Sequence, residues 1–164
     1  MSAYSERHFR ERSMEEVLEA LLIAWKTDGY VLRDYYLART SSFPDFYAVD
    51  AKGRGWLIEC KNLNTKPGKW ESYEWVKRNV LEKDWYSSVF RSRANPPSYN
   101  DSVDVPVQSN TKPVLVITRD WFDQRASDAV KKFFGDNIVV TRCQFPLPGC
   151  TEKLAAGLLR LFIS

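Results

Sequence analysis

The chain has 164 residues, of which 44% are hydrophobic and 27% charged, and its formal net charge is +3. This size and composition predict one globular domain spanning residues 1–164 rather than two domains and a linker. No stretch approaches the ~18 apolar residues of a membrane span, and the first residues lack the apolar core of a signal peptide, so we expect a cytoplasmic protein without membrane contact. The small positive charge does not by itself indicate a nucleic-acid partner.

Three cysteines and one histidine offer little for zinc binding or for histidine-based nucleophilic catalysis. Cys143 and Cys150 could form a disulfide across the short loop between them. Reduced thiols are the expectation for a protein in the cytoplasm.

The first predicted element is a helix from about residue 13 to 27. Its apolar residues recur at helical spacing: Met14, Val17, Leu18, Leu21, Leu22 and Trp25. Ser13 and Glu16 have the spacing of a capping box, which places the start of the helix at Ser13. Gly29 is a natural stop after the last turn.

Three strands, at about 30–39, 43–50 and 55–63, are predicted next, followed by a helix over about 70–91. Residues 94–112 are rich in Pro, Ser, Asn and Asp and lack periodicity, which predicts a mobile loop. A buried strand at 113–118, a helix at about 121–134 and a strand at 137–141 form a βαβ unit with parallel pairing. A last helix at about 151–163 completes an α/β order αβββαβαβα.

Two carboxylates and an amine lie in the predicted second and third strands. In a strand, residues i and i+2 share a face, so Glu59 and Lys61 point the same way, above Leu57. Trp56, Ile58 and Cys60 point to the other face and suit a core. If the second and third strands form a hairpin around the glycine-containing turn at 51–55, residue 45 lies opposite about residue 60, which brings Asp45 within one register step of Glu59. Asp45, Glu59 and the backbone carbonyl of Cys60 can then hold a hard divalent cation, as Mg²⁺ requires.

Pro44-Asp45 and, thirteen residues later, Glu59-Cys60-Lys61 resemble the signature of the PD-(D/E)XK nuclease superfamily. The run around them is most similar to the archaeal Holliday junction resolvases, and the match covers roughly residues 12–90. The resemblance implies a restriction-endonuclease-like core with a mixed central sheet flanked by helices. It also implies a Mg²⁺-dependent endodeoxyribonuclease, with Mn²⁺ able to substitute. In such an enzyme Asp45 and Glu59 bind the metal and Lys61 activates the attacking water.

The family often adds a glutamate from the helix before the sheet. By helical geometry Glu15 borders the apolar stripe, so it is the first candidate for this catalytic and metal-binding role, and Glu19 is the second. The alternative is that these acidic residues only complement the helix dipole. A Gln expected on the helix after Lys61 is absent, and Lys77 and Tyr73 are the candidates for its place.

Basic side chains flank the predicted site and alternate with aromatic residues such as Trp70 and Tyr73. Such a combination can neutralise phosphates and stack on bases. The alternative is that the tryptophans are buried in the core and the lysines form an ordinary solvent-exposed face. The residues that we expect to contact DNA are Arg10, Arg12, Ser42, Lys66, Lys69 and Lys77.

Cutting both strands of DNA requires two sites, so a symmetric homodimer is expected. Tyr99, Trp121, Phe122 or the apolar side of the last helix could form its interface.

Three hypotheses stay open: a DNA endonuclease of junction-resolving, repair or restriction-like type; a DNA-binding or assembly module of the same fold without activity; and an α/β protein in which the motif is accidental.

Overall fold

The structure is a computed structural model that describes residues 3–38, 40, 42–63, 70–85, 89–91, 104–145 and 147–164. The helices are α1 (Ala3–Asp28), α2 (Tyr73–Val76), which continues as a π-helical segment (Lys77–Leu81), α3 (Gln124–Phe134) and α4 (Cys150–Phe162). The strands are β1 (Leu32–Leu37), β2 (Phe46–Asp50), β3 (Gly55–Lys61), β4 (Val89–Arg91), β5 (Asp104–Pro106), β6 (Lys112–Ile117) and β7 (Ile138–Val140).

The described strands form one mixed sheet in the order β5-β4-β1-β2-β3-β6-β7. Strands β1, β2 and β3 pair antiparallel, whereas β3, β6 and β7 pair parallel. The parallel pairing of β6 and β7 follows from the crossover through α3, because parallel neighbours need a long connection. The prediction of an α/β fold with a mixed sheet flanked by helices is confirmed.

Helices cover both faces of the sheet, and each face has its own core. On one face, α1 and α4 pack against side chains that include Ile58, Cys60 and Val116. On the other, α2, the π-helical segment and α3 pack against Leu57, Leu115 and their neighbours. The alternation predicted for β3, with Ile58 and Cys60 on one face and Leu57 on the other, is confirmed.

A buried carboxylate, Asp50, fixes the turn between β2 and β3. Its Oδ1 accepts hydrogen bonds from the backbone N–H groups of Lys52 and Arg54, both at 2.9 Å. Its Oδ2 accepts from Arg54 Nε at 2.8 Å and from Trp56 Nε1 at 3.0 Å. Gly53 takes a positive φ of 84°, which glycine adopts without strain. This network holds the hairpin that carries the motif residues.

Helix α1 begins at Ala3, so the prediction that it starts at Ser13 with a capping box is wrong. Residues 3–12 contain no proline or glycine and several good helix formers, so nothing stops the helix from extending. Ser13 and Glu16 lie inside the helix, where the capping role does not arise.

The predicted helix over 70–91 is also wrong, because the helical segment ends at Leu81 and β4 begins at Val89. The packing of Trp85 explains why the helical segment ends at Leu81. Its indole packs against Phe133 and Phe134 of α3, and its Nε1 donates to the carbonyl of Val80 at 2.7 Å. Burial of this large side chain outweighs the helical preference of the flanking residues.

Only part of the predicted mobile loop 94–112 lies among the described residues. Residues 104–106 form β5, which pairs with β4, and β6 already begins at Lys112. Residues 104–106 were predicted as loop because they show neither a long alternation nor a long apolar run, whereas β6 differs from its predicted start by one residue. Residues 94–103 lie outside the described part of the chain.

Cys143 and Cys150 form a disulfide, which corrects the expectation of reduced thiols. Their Cα atoms are 5.6 Å apart, a usual separation for a disulfide. Cys60 is a buried thiol in the core shared with α1 and α4. Among the described residues, no helix is long and apolar enough to cross a membrane.

Candidate active site

Asp45 and Glu59 lie opposite each other on neighbouring strands. The pairing of Phe46 with Ile58 places Asp45, one residue earlier, across from Glu59, one residue later. Asp45 Oδ2 accepts a hydrogen bond from the backbone N–H of Cys60 at 2.7 Å, and the Asp45 carbonyl accepts one from Ala38 at 3.1 Å. The predicted proximity of the two carboxylates is therefore confirmed.

Glu59 is a fully buried carboxyl in the face that α2 and α3 cover. Burial raises its pKa well above the usual 4.5, and the nearby charge of Asp45 raises it further. The positive charges of Lys61 and Lys83 act in the opposite direction but do not reverse the shift. Two ionised carboxylates are both acceptors and repel each other, so the pair favours either a shared proton or a bound cation.

Lys83 is the residue of this site that sequence reasoning missed. Its Nζ lies 3.0 Å from Glu59 Oε2, and its side chain is only 13% exposed. The loop that carries it is tied to the loop before β2, because the backbone N–H of Asp84 donates to the carbonyl of Ser42 at 2.7 Å. No spacing rule indicates Lys83, since its position depends on the early end of the helix at Leu81.

Lys61 is the last residue of β3 and pairs with Ile117 of β6. It shares the face of Glu59 and is partly exposed, whereas Glu59 is buried. Its charge acts on Glu59 and lowers the pKa of that group. The predicted convergence of Glu59 and Lys61 on one face is confirmed.

Glu15 and Glu19 lie on the other side of the sheet. Their helix, α1, packs on the face of Ile58 and Cys60, whereas Glu59 alternates with these residues and points away. Within the described residues, no group of three His, Cys, Asp or Glu side chains is arranged to hold a metal ion. The carboxylate pair thus stands without a third acidic partner from this set, and a role for Glu15 in the site stays a prediction.

The residues expected to contact DNA have different positions. Ser42 is exposed, and its hydroxyl lies 2.6 Å from that of Thr40. Lys77 is exposed on the π-helical segment, with its Nζ 3.9 Å from Glu82. Arg10 and Arg12 belong to α1, whose first turns are described as backbone alone. Lys66 and Lys69 lie outside the described residues.

Two of the proposed dimer surfaces are part of the core. Phe122 is buried against α3, and the apolar side of α4 packs against α1 and the sheet. Trp121 is partly exposed, and Tyr99 lies outside the described residues. Among the candidates that lie in the described residues, Trp121 is the one at the surface.

The donor set of the pair suits a hard cation. Both oxygens of Glu59 are buried, with Lys83 Nζ 3.0 Å from Oε2, and the Asp45 carboxylate lies across the hairpin from them. Carboxylate oxygens are the ligands that Mg²⁺ and Mn²⁺ take in proteins. Comparison with protein-family models, curated protein sequences and solved structures finds no match to this chain.

Proposed function

We propose that the chain is a metal-dependent DNA endonuclease that hydrolyses phosphodiester bonds, with a site of the PD-(D/E)XK type. The observation that carries this proposal is the buried Glu59 carboxyl opposite Asp45, with Lys61 and Lys83 beside it. A buried carboxyl with a raised pKa near a second carboxylate is typical of functional sites, because a protein gains no stability from such an arrangement.

Asp45 and Glu59 would hold the cation, together with the carbonyl of Cys60. When bound, Mg²⁺ lowers the pKa of its water and withdraws charge from the phosphoryl oxygens. The backbone N–H of Cys60 already fixes Asp45 at 2.7 Å, so this carboxylate is oriented before any ligand arrives. Glu15 is not included in the proposed ligand set, because α1 packs on the opposite face of the sheet.

Lys61 supplies the exposed cation of the site. Its position at the strand end allows it to contact a phosphate and to hold an attacking water in place. Lys83 is more deeply placed and neutralises Glu59 from within the protein. With a divalent cation bound, Asp45 and Glu59 would balance its charge, and Lys83 would add a positive charge that suits a phosphate group.

The surrounding fold supports the proposal. A helix followed by a three-stranded antiparallel meander, then a parallel strand next to β3, is the arrangement expected of a restriction-endonuclease-like core. Branched or junction DNA in recombination or repair is the proposed substrate class. A symmetric homodimer is the proposed assembly, because cutting both strands requires two sites.

A second candidate is a DNA-binding or assembly module of the same fold without catalytic activity. The contact between Lys83 and Glu59 favours it, because the lysine already balances the buried charge without a metal ion. The absence of a third acidic, His or Cys ligand among the described residues favours it as well.

The test is a cleavage panel of duplex, single-stranded, flapped and four-way DNA with Mg²⁺ or Mn²⁺. Asp45→Asn, Glu59→Gln and Lys61→Met should each reduce cleavage by at least about a hundredfold, as expected for loss of a metal ligand or a charge-stabilising group. DNA binding should be largely kept. Glu152→Gln, at an exposed position on α4, is the matched control and should cleave like the parent.

The two candidates give different results in this panel. Cleavage that needs the metal and all three residues supports the nuclease. Salt-sensitive binding with no cleavage of any DNA form supports the module. A fully active Asp45→Asn protein would refute the nuclease proposal.

A further inference from the structure

Two loops lie side by side where β3 and β6 end. Glu71 and Phe122 form a parallel bridge, in which Glu71 N–H donates to the Trp121 carbonyl at 2.8 Å and Asp123 N–H donates to the Glu71 carbonyl at 3.1 Å. The Asp123 carboxylate holds both loops, since it accepts from Ala126 at 2.7 Å and from Tyr73 at 3.0 Å. The bridge is therefore a fixed feature of this surface.

The bridge directs two tryptophans outwards. Residues on one strand alternate between the two sides, and paired residues share a side. Phe122 is buried in the core, and its bridge to Glu71 places the preceding residues, Trp121 and Trp70, on neighbouring segments whose backbones lie about 5 Å apart. Trp70 is 58% exposed. In the described part of the chain, neither indole contacts another aromatic ring.

Arginines accompany this aromatic pair. The Arg119 guanidinium lies 5.8 Å from the centroid of the Trp121 ring, and the Arg125 guanidinium lies 3.9 Å from the centroid of the Tyr73 ring. Two nearby carboxylates are paired with arginines: Asp120 with Arg142 at 3.3 Å and Glu74 with Arg125 at 3.9 Å. The exposed Trp70 and the partly exposed Trp121 provide stacking surface, and Arg119 beside Trp121 provides positive charge. This is the combination that binds single-stranded nucleic acid.

The surface is close to the proposed active site. Lys61 pairs with Ile117, and Leu63 N–H donates to Thr118 Oγ1 at 3.0 Å, so the ends of β3 and β6 are joined. Trp121 follows Ile117 by four residues, a reach of at most about 14 Å. Bases stacked there would be a few nucleotides from the phosphate beside Lys61.

We propose that Trp70 and Trp121 form a stacking platform for unpaired bases next to the cleavage point. The substrate class would then be DNA with a single-stranded segment at the scissile position, such as a flap or a splayed arm, in preference to continuous duplex. This inference rests on the proposed nuclease function for its cleavage consequence, but the binding site itself can be tested without cleavage.

The first experiment measures binding by fluorescence anisotropy, in EDTA, with a labelled strand of about 16 nucleotides and the matching duplex. Trp70→Ala and Trp121→Ala should each weaken single-strand binding by about 5- to 150-fold, the range expected for loss of one stacked base. Duplex binding should change by less than about twofold. Trp121→Phe should restore much of the affinity, because the smaller ring still stacks.

The control is Tyr30→Ala. Tyr30 is 85% exposed and lies in the turn before β1, away from the ends of β3 and β6. This variant should bind both DNA forms like the parent. Equal losses on single strand and duplex in the tryptophan variants, or no loss at all, would overturn the platform.

A second experiment compares cleavage of a splayed-arm DNA with that of a duplex of the same sequence. Selective loss of splayed-arm cleavage in Trp70→Ala supports the platform. If the parent cleaves nothing while the tryptophan variants lose single-strand binding, the platform stands and the nuclease proposal fails. If the parent cleaves but the tryptophan variants bind and cleave both forms unchanged, the platform fails and the nuclease proposal stands.

Discussion

Asn in place of Asp50 should lower the free energy of unfolding substantially, although the two side chains have almost the same shape. Asp50 accepts four hydrogen bonds from three residues of one turn, two on each oxygen. An asparagine oxygen can still accept the two backbone bonds, but its NH₂ group then faces the N–H donors of Arg54 and Trp56. At both contacts two hydrogen-bond donors then face each other, and neither has an acceptor.

The size of the effect follows from the burial of each group. Leaving the buried Trp56 N–H unpaired costs about 1–3 kcal/mol, and each backbone bond weakens by about 0.5–1 kcal/mol when its acceptor loses its charge. Loss of the Arg54 ion pair adds at most about 1 kcal/mol, because 38% of that side chain is exposed. The expected loss is roughly 2–6 kcal/mol, or a melting temperature lower by about 5–20 °C for a chain of this size.

The loss should also depend on pH. Burial disfavours the ionised form of Asp50, but the hydrogen bonds from Trp56 and Arg54 outweigh it and hold the pKa below its usual 3.8. The unfolded chain therefore takes up this proton first as the pH falls. The stability that the carboxylate contributes is complete above pH 3.8 and is lost as the pH falls through the lower native pKa.

Urea unfolding of the parent and of Asp50→Asn across this pH range is the assay. Asp120→Asn is the matched control, because its ion pair with Arg142 is exposed on both sides and should be worth less than about 1 kcal/mol. A difference of less than about 1 kcal/mol between Asp50→Asn and the parent at neutral pH would show that the turn network does not hold the hairpin. So would a difference that grows towards acid pH.

Three further predictions concern the site and the packing of α4. Burial and Asp45 raise the pKa of Glu59, so the parent loses stability as the pH rises above 4.5 until that carboxyl ionises. Glu59→Gln does not titrate there, so its stability relative to the parent should increase over the same range. Urea unfolding at about pH 5 and about pH 8 measures this difference. Lys83→Met removes the cation 3.0 Å from Glu59, and the same assay should show a loss of stability, up to about 3 kcal/mol, that grows as the pH rises and Glu59 ionises. Gly157→Ala should destabilise the protein by about 1–3 kcal/mol in thermal unfolding, because a Cβ at this position meets Val139 Cγ1, and this outweighs the gain in helix propensity of about 1 kcal/mol.

Each of these predictions has a contradicting result. A pH-independent difference for Glu59→Gln would mean that its carboxyl titrates alike in the folded and unfolded chains. An equal loss for Lys83→Met at both pH values would mean that the lysine acts through packing alone. A stabilised Gly157→Ala protein would show that Val139 can move aside without loss of contacts.

The sequence was sufficient to predict the hairpin and its faces. Alternation around Glu59 predicted which side chains enter each core, and the glycine-containing turn predicted a register that placed Asp45 opposite Glu59 to within one step. Both follow from local rules, because a strand has a fixed period of two and a short turn leaves few registers. The buried strands β6 and β7 were predictable from their apolar runs for the same reason.

The tertiary structure alone decided which further groups surround the carboxylates. Lys83 reaches Glu59 because Trp85 packs on α3 and ends the helical segment early, and Glu15 faces the other side because α1 packs against Cys60. The positions of Lys83 and Glu15 both depend on contacts between residues that are distant in sequence. The helical periodicity of the sequence does not reveal such contacts. The spacing of Asp45, Glu59 and Lys61 thus determined the chemistry to be expected, whereas the packing of α1 and α3 determined which charges share the site.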